Sequence, residues 1–354
     1  MLRFGVVLLT LSLLSCTANI SNNQLVDSES GWLVSQSKVR DGGPGPDGIP
    51  AIDNPVFLSA DDAVLDRNEL VVGLMFANEA RAYPHNILNW HEIVNDVFTV
   101  ADKTVSLSYC PLTGSSLLWQ ALPNSVNKSF GTSGLLYNTN LVLYDRETKS
   151  LWSQMLQQSI NGRQISVKPE KLTAIETTWQ TWKTMYPDTQ VLSEDTGFSR
   201  NYQRFPYGSY RTDNAVYFPV DNQDSRLHRK SRVLGYKTDT VNKVYQVSRF
   251  SETIEVINET LDEIPLVVIG SSSQNFAVAF KRQLLDGTDI TLTAVEDSLP
   301  IVMEDELGNQ WDVFGNAVSG PNTGEQLGVT NSFIAYWFAW VAFFPNSDIH
   351  FPVQ

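Results

Sequence analysis

The chain has two cysteines, and the first of them, Cys16, closes an apolar leader, so that after processing Cys110 is the one thiol left to the fold. No disulfide can then form within the domain. Cohesion has to come from a buried core, and the composition provides one, with 42% hydrophobic residues and nine Trp. An unpaired thiol outside the cytoplasm invites oxidation and mixed disulfides unless it is buried or its reactivity is used. The segment Ser106-Leu-Ser-Tyr-Cys-Pro-Leu-Thr-Gly114 reads as a strand running into a tight turn. Such a turn sets the sulfur among backbone N–H groups, which favours a reactive thiolate. A small apolar pocket is the alternative home of a free cysteine, and both readings stay open.

The leader reads Met-Leu-Arg3 followed by an apolar run over 4–14, broken only by Gly5, Thr10 and Ser12. That run is shorter than the roughly 20 residues of a bilayer-spanning helix, so it reads as an export signal. Leu13-Leu-Ser-Cys16 resembles the bacterial lipobox. The resemblance implies removal of residues 1–15, acylation of Cys16 and a lipid bilayer as partner. Thr17 in place of Asp implies the periplasmic face of the outer membrane, by the sorting rule of such lipoproteins. Residues 16–45, rich in Ser and Asn and then in Gly and Pro, are expected as a flexible tether, with a single domain over 46–354. A formal net charge of −14 argues against nucleic acid as a partner. The basic run at 226–232 is short and reads as a solvated loop.

Beta-type alternation and short apolar runs dominate, over 70–76, 81–83, 105–109, 115–120, 141–144, 216–218, 243–248, 266–270, 277–280 and 290–295. Helical spacing is confined to 86–94, with Ile87, Trp90, His91 and Val94 on one face, and to 174–185, with Ile175, Trp179 and Trp182 on another. The aromatic run at 333–344 is too short to span a membrane and reads as a core element. No tandem repeat, phosphate loop or metalloprotease motif is legible. The fold class expected is α+β, a beta-rich mixed sheet with few helices.

Three groups of residues carry candidate chemistry. His91 on the apolar helix face points inward, either as a hydrogen-bonded core residue or toward Cys110, as general base or metal ligand, with Glu92 or Asp96 orienting its other ring nitrogen. A soft site of Cys110 and His91, joined by His85 and by a thioether from Met75 or Met155, selects Cu(I) among metals. Polar blocks around Arg146, Trp152 and Tyr207 offer a second possibility, a cleft in which Arg146 binds a ligand carboxylate and the aromatic rings supply apolar contact.

The blocks Trp90-His-Glu-Ile-Val-Asn-Asp96, Tyr109-Cys-Pro-Leu-Thr-Gly114, Gly131-Thr-Ser-Gly-Leu-Leu-Tyr-Asn138, Leu143-Tyr-Asp-Arg146, Ser150-Leu-Trp-Ser-Gln154, Pro206-Tyr-Gly-Ser-Tyr210 and Phe338-Ala-Trp340 resemble the signatures of a prokaryotic family, domain of unknown function 3179. The resemblance runs from about residue 48 to about 349 and implies one contiguous unit without an assigned activity. Residues 90–118 are also similar to the core of organomercurial lyases and of the copper lipoprotein that assists nitrous oxide reductase maturation. In the lyases the matching cysteine is a nucleophile towards a soft metal, a role that maps to Cys110, while their second cysteine has no counterpart here. The function expected is a lipid-anchored envelope protein with a thiol-centred site, Cys110 with His91, that binds Cu(I) or attacks a substrate. The alternative is a non-catalytic lipoprotein binding a small molecule or another partner.

Overall fold

The computed structural model describes residues 31–120 and 129–351. The leader, Cys16 and the first half of the expected tether lie outside the described residues. From Trp32 onward the chain is docked. Leu33 N–H donates to the Ile160 carbonyl at 2.8 Å, and Val39–Asp41 adds an antiparallel strand beside Phe130–Tyr137.

Short strands joined by tight turns make up most of the fold, with three seven-residue helices among the described residues, α1 (His85–His91), α2 (Trp179–Met185) and α3 (Trp337–Phe343). Antiparallel ladders predominate and two strand pairings are parallel, so the fold is α+β, beta-rich and of mixed direction. Two boundaries differ from expectation for local reasons. The helix expected over 174–185 starts only at Trp179, because Ile175–Thr178 is a strand whose last residue caps the helix, Thr178 Oγ1 accepting from Thr181 N–H at 3.2 Å. The helix expected over 86–94 stops at His91, where Glu92 turns left-handed (φ 57°). Residues 216–218, expected as a strand, are irregular.

One architecture occurs twice. In the first unit Leu70–Phe76 and Glu79–Pro84 form a hairpin flanked by Ile175–Thr178 on one side and, in parallel, by Gln190–Leu192 on the other. In the second, Arg232–Lys237 and Asn242–Gln246 are flanked in the same way by Ser332–Tyr336 and Asp348–Ile349. Inserted into each is a second sheet, Ile93–Phe98, Lys103–Cys110, Ser115–Gln120 and Lys171–Leu172 in one unit, Glu255–Leu261, Ile264–Ser271, Phe276–Lys281 and Gly328–Val329 in the other. A meander of four strands completes each unit, beginning at Phe130 and at Leu292.

Side chains repeat as well as strands. Gly73 and Gly235 sit mid-strand where a Cβ would run into the rings of Trp182 and Trp340. Those indoles donate to Thr189 Oγ1 and Ser347 Oγ, both at 2.9 Å. Arg81 and Tyr83 both reach Asp96, as Lys243 and Tyr245 both reach Glu259. Asp145 accepts the Trp152 indole N–H at 3.0 Å and Asp305 that of Trp311 at 2.9 Å. So many matched buried polar contacts identify an internal duplication that spans most of the chain.

The units interlock reciprocally. Ile175–Thr178 packs on Phe276–Lys281 of the second unit, and its counterpart Ser332–Tyr336 packs on Ser115–Gln120 of the first. Thr177 Oγ1 donates to the Gln274 carbonyl at 2.6 Å, while Tyr336 N–H donates to the Thr113 carbonyl at 2.8 Å. The largest apolar cluster joins Val71, Trp179 and Trp182 to Val267, Phe276 and Trp311, so one core crosses the boundary between the units.

Candidate functional site

Glu92 ends up beside Cys110 because of the way α1 terminates. Its N–H closes the helix on the Leu88 carbonyl at 2.8 Å and its own carbonyl accepts Tyr109 N–H at 2.7 Å, which ties the helix end to the last residues of strand Lys103–Cys110. A left-handed residue after a helix is usually Gly, and here it is Glu. The strand then turns over residues 111–114, with Gly114 N–H donating to the Cys110 carbonyl at 2.8 Å. Gly114 has φ 57°, and a Cβ there would strike the Tyr336 ring, so the turn requires glycine twice over.

The sulfur does lie among backbone N–H groups, those of Thr113 and Leu141, but Cys110 is only 1% exposed, and Sγ donates to the Thr139 carbonyl at 3.9 Å. Burial, and then the nearby Glu92 carboxyl, push the thiol up to about 11. Burial likewise raises the Glu92 carboxyl to about 8, opposed only by a hydrogen bond from Tyr207 OH to Oε1 at 3.3 Å. Burial also raises the Tyr207 hydroxyl. Thiol, carboxyl and phenol are therefore all protonated near neutral pH.

Glu92 and Tyr207 form part of the wall of a cavity of about 310 Å³. The rest of that wall is largely apolar, with Ile49, Leu112, Leu136, Leu141 and Phe218. The volume lies at the lower end of small-molecule sites, and a few polar groups in an apolar wall are typical of them. Cys110 lies behind this wall, next to Leu112 and Leu141 in the same apolar cluster.

The other expected site residues are engaged elsewhere. His91 does not meet Cys110. Its Nδ1 donates to the Pro50 carbonyl at 2.8 Å, and its Nε2 accepts from Tyr202 OH at 2.7 Å. Burial lowers its pKa, so the ring is a neutral, satisfied core residue, and Glu92 has no part in orienting it. The left-handed turn at Glu92 is the reason, since it directs neighbouring side chains to different places. His85 is buried, with Nε2 3.4 Å from Glu176 Oε2 and its ring against Tyr109. Burial raises the Glu176 carboxyl, yet Arg232 and His85 outweigh it and hold it at about 2. Arg146 is taken by Asp53 at 2.7 Å and approached by Asp47 at 3.7 Å. Trp152 is fully buried with Trp119 and Phe130. Of the three expected ligand contacts only Tyr207 lines the cavity.

Among the described residues no three His, Cys, Asp or Glu side chains come together as a metal group. Met155 belongs to a different apolar cluster, with Leu117 and Trp340, and Met75 packs at the edge of a third. Among the described residues, then, neither His91 nor Met75 nor Met155 stands beside Cys110 as the second soft ligand of the Cu(I) expectation. What the sequence reading missed is the pairing of Glu92 with Tyr207 across 115 residues, for which the only local signal was a Glu at a helix terminus.

A family model described as Protein of unknown function (DUF3179) matches residues 46–347, a span that holds nearly all of both structural units. No curated protein and no solved structure matches, so the likeness of residues 90–118 to the lyase core gains no support from these comparisons.

Proposed function

We propose that this chain, which belongs to the family of unknown function DUF3179, is a lipid-anchored envelope protein that binds a small apolar molecule carrying one neutral polar group. The ligand's apolar body occupies the cavity among Leu112, Leu136, Leu141 and Phe218, and its polar group meets Glu92 and Tyr207. The observation that carries this reading is the Glu92 carboxyl, buried in a cavity wall with one long hydrogen bond and fixed on a left-handed backbone. Burying a carboxyl with incomplete hydrogen bonding is unfavourable, and so is a non-glycine residue in that backbone region; both costs fall on one residue. A protonated carboxyl offers a donor and an acceptor side by side, which suits a carboxylic acid or amide head group.

Anchoring rests on the lipobox-like Leu13-Leu-Ser-Cys16, and Thr17 in place of Asp supports the periplasmic face of the outer membrane. Cys110 serves here as a sheltered wall-backing residue. The nucleophile reading is less well supported, because the thiol has a protonated acid beside it and no base. The test is titration of the protein with the amide of a fluorescent polyene fatty acid, whose head group is neutral. Saturable binding is expected, lost in Leu136→Trp, which fills the cavity, and retained in Glu92→Gln, which keeps a donor and an acceptor. Binding of equal strength in wild type and Leu136→Trp would remove the cavity from the argument.

A further inference from the structure

Arg67 and Arg229 occupy equivalent places in the two units. Gln180 N–H donates to the Arg67 carbonyl at 3.0 Å and Phe338 N–H to that of Arg229 at 3.1 Å, while Trp179 N–H and Trp337 N–H donate to the Glu69 and Ser231 carbonyls, both at 2.8 Å. Gln180 and Phe338 are thus the same position at the start of α2 and α3. In the first unit the two side chains close on each other, Arg67 donating from Nε at 2.8 Å and from Nη2 at 2.5 Å to Gln180 Oε1. In the second unit a phenyl ring stands at that position, and Arg229 has no side-chain acceptor on the helix. Its guanidinium makes two long bonds instead, Nη1 to the Asn214 carbonyl at 3.2 Å and Nη2 to Gln223 Oε1 at 3.3 Å, both neutral acceptors.

Arg229 and Phe338 line a cavity of about 1050 Å³, together with Val216, Tyr217, Phe218 and Leu227. The volume lies at the upper end of small-molecule sites. One carboxylate, Asp224, is also in the wall, but Arg226 takes it with Nε at 2.8 Å and Nη2 at 2.7 Å. Arg229 therefore has no carboxylate partner among the described residues. A guanidinium fork beside aromatic rings matches a planar carboxylate, which it can hold by two parallel hydrogen bonds, joined to an apolar body. Tyr217 and Phe218 also line the Glu92 cavity, so the two places are neighbours that differ in charge, a protonated acid in one and a cation in the other.

We propose that the larger cavity binds an organic monocarboxylate, with the carboxylate on the Arg229 guanidinium and the apolar body against Phe338, Tyr217 and Phe218.

The probe is pyrenebutyrate, followed by its fluorescence, with pyrenebutyramide as the neutral counterpart. Both are titrated into Leu136→Trp, whose Glu92 cavity is filled, and into Leu136→Trp/Arg229→Gln; the acid is also titrated into wild type. Saturable binding of the acid is expected in wild type and in Leu136→Trp alike, whatever the fate of a ligand beside Glu92. In Leu136→Trp the acid should bind about tenfold more tightly than the amide. Adding Arg229→Gln should abolish that preference while leaving the amide's affinity and the melting temperature unchanged, since Arg229 is exposed. No saturable binding of the acid, equal affinity for acid and amide in Leu136→Trp, or a preference that survives Arg229→Gln overturns the proposal. Acid binding that is present in wild type and lost in Leu136→Trp belongs to the Glu92 cavity and overturns it as well.

Discussion

Glu92→Gln gives the most direct test of the site's electrostatics. The wild-type carboxyl is raised from 4.5 to about 8 by burial. In the unfolded chain it ionises near its ordinary value, whereas in the folded protein it holds its proton, so folding binds a proton over the interval between. The contribution of Glu92 to stability is greatest below 4.5, declines as pH rises, and levels off above about 8. At about 1.36 kcal/mol per pH unit the decline amounts to roughly 3 kcal/mol by neutral pH and roughly 5 kcal/mol in all. Gln keeps the shape and an acceptor for Tyr207 OH but has nothing to titrate. Urea unfolding of both proteins at about pH 5, 7 and 9 measures the difference, in which every other titrating group cancels. The stability of the variant relative to wild type should rise by several kcal/mol from the lowest to the highest pH. A difference that stays flat would show that Glu92 is ionised and stabilised in the fold, and the neutral polar wall would have to be abandoned.

The remaining predictions concern the thiol and the duplication. With Cys110 raised from 9.0 to about 11, alkylation of the folded protein should be at least about a hundredfold slower than in urea; rapid native labelling would return the thiol to the reactive class. Gly73→Ala and Gly235→Ala each drive a methyl group into an indole, Trp182 and Trp340 respectively, and each should cost about 1–3 kcal/mol in chemical denaturation. A large loss at one position and none at the other would contradict the equivalence of the two units.

Much of the strand content was legible because short apolar runs mark buried strands, and Leu70–Phe76 and Ser115–Gln120, each buried over consecutive residues, fall on such runs. The helices were less so, since seven residues give barely two turns of periodicity. Strand Ile175–Thr178 merges with α2 in a pattern that reads as one longer helix. The duplication was present in the sequence as Thr178-Trp-Gln-Thr-Trp-Lys-Thr-Met-Tyr-Pro-Asp-Thr189 and Tyr336-Trp-Phe-Ala-Trp-Val-Ala-Phe-Phe-Pro-Asn-Ser347, which share two Trp, a Pro and a terminal hydroxyl. Elsewhere the repeat is masked, because the matched pairs differ in identity while keeping their chemistry, Arg81 with Lys243 and Asp96 with Glu259. At the site, His91 and Glu92 are adjacent in the sequence, but Glu92 turns left-handed, so its carboxyl lies near Cys110 while the His91 ring bonds Pro50 and Tyr202.

Comparison of the two units shows how differently the positions that match Cys110 and Glu92 are bonded. By strand register Cys110 corresponds to Ser271, Glu92 to Glu255 and Gly114 to Asn275, which share φ 57°. Glu255 has kept its place in the strand pairing, but it accepts from Ser251 N–H at 2.8 Å, and Ser271 Oγ donates to the Glu252 carbonyl at 2.8 Å, so the second unit ties both groups into its own loops. Its helix before that strand has shrunk to the single turn Val247–Arg249, and the residue matching His91 is Ile254, part of the shared core. The Thr113 carbonyl in the Cys110 turn accepts Tyr336 N–H across the boundary, so that turn belongs to the joint between units as much as to the cavity. Duplication thus leaves the second unit to complete the core, while the first can hold an under-bonded carboxyl whose cost a lone unit of half the size would be less able to bear.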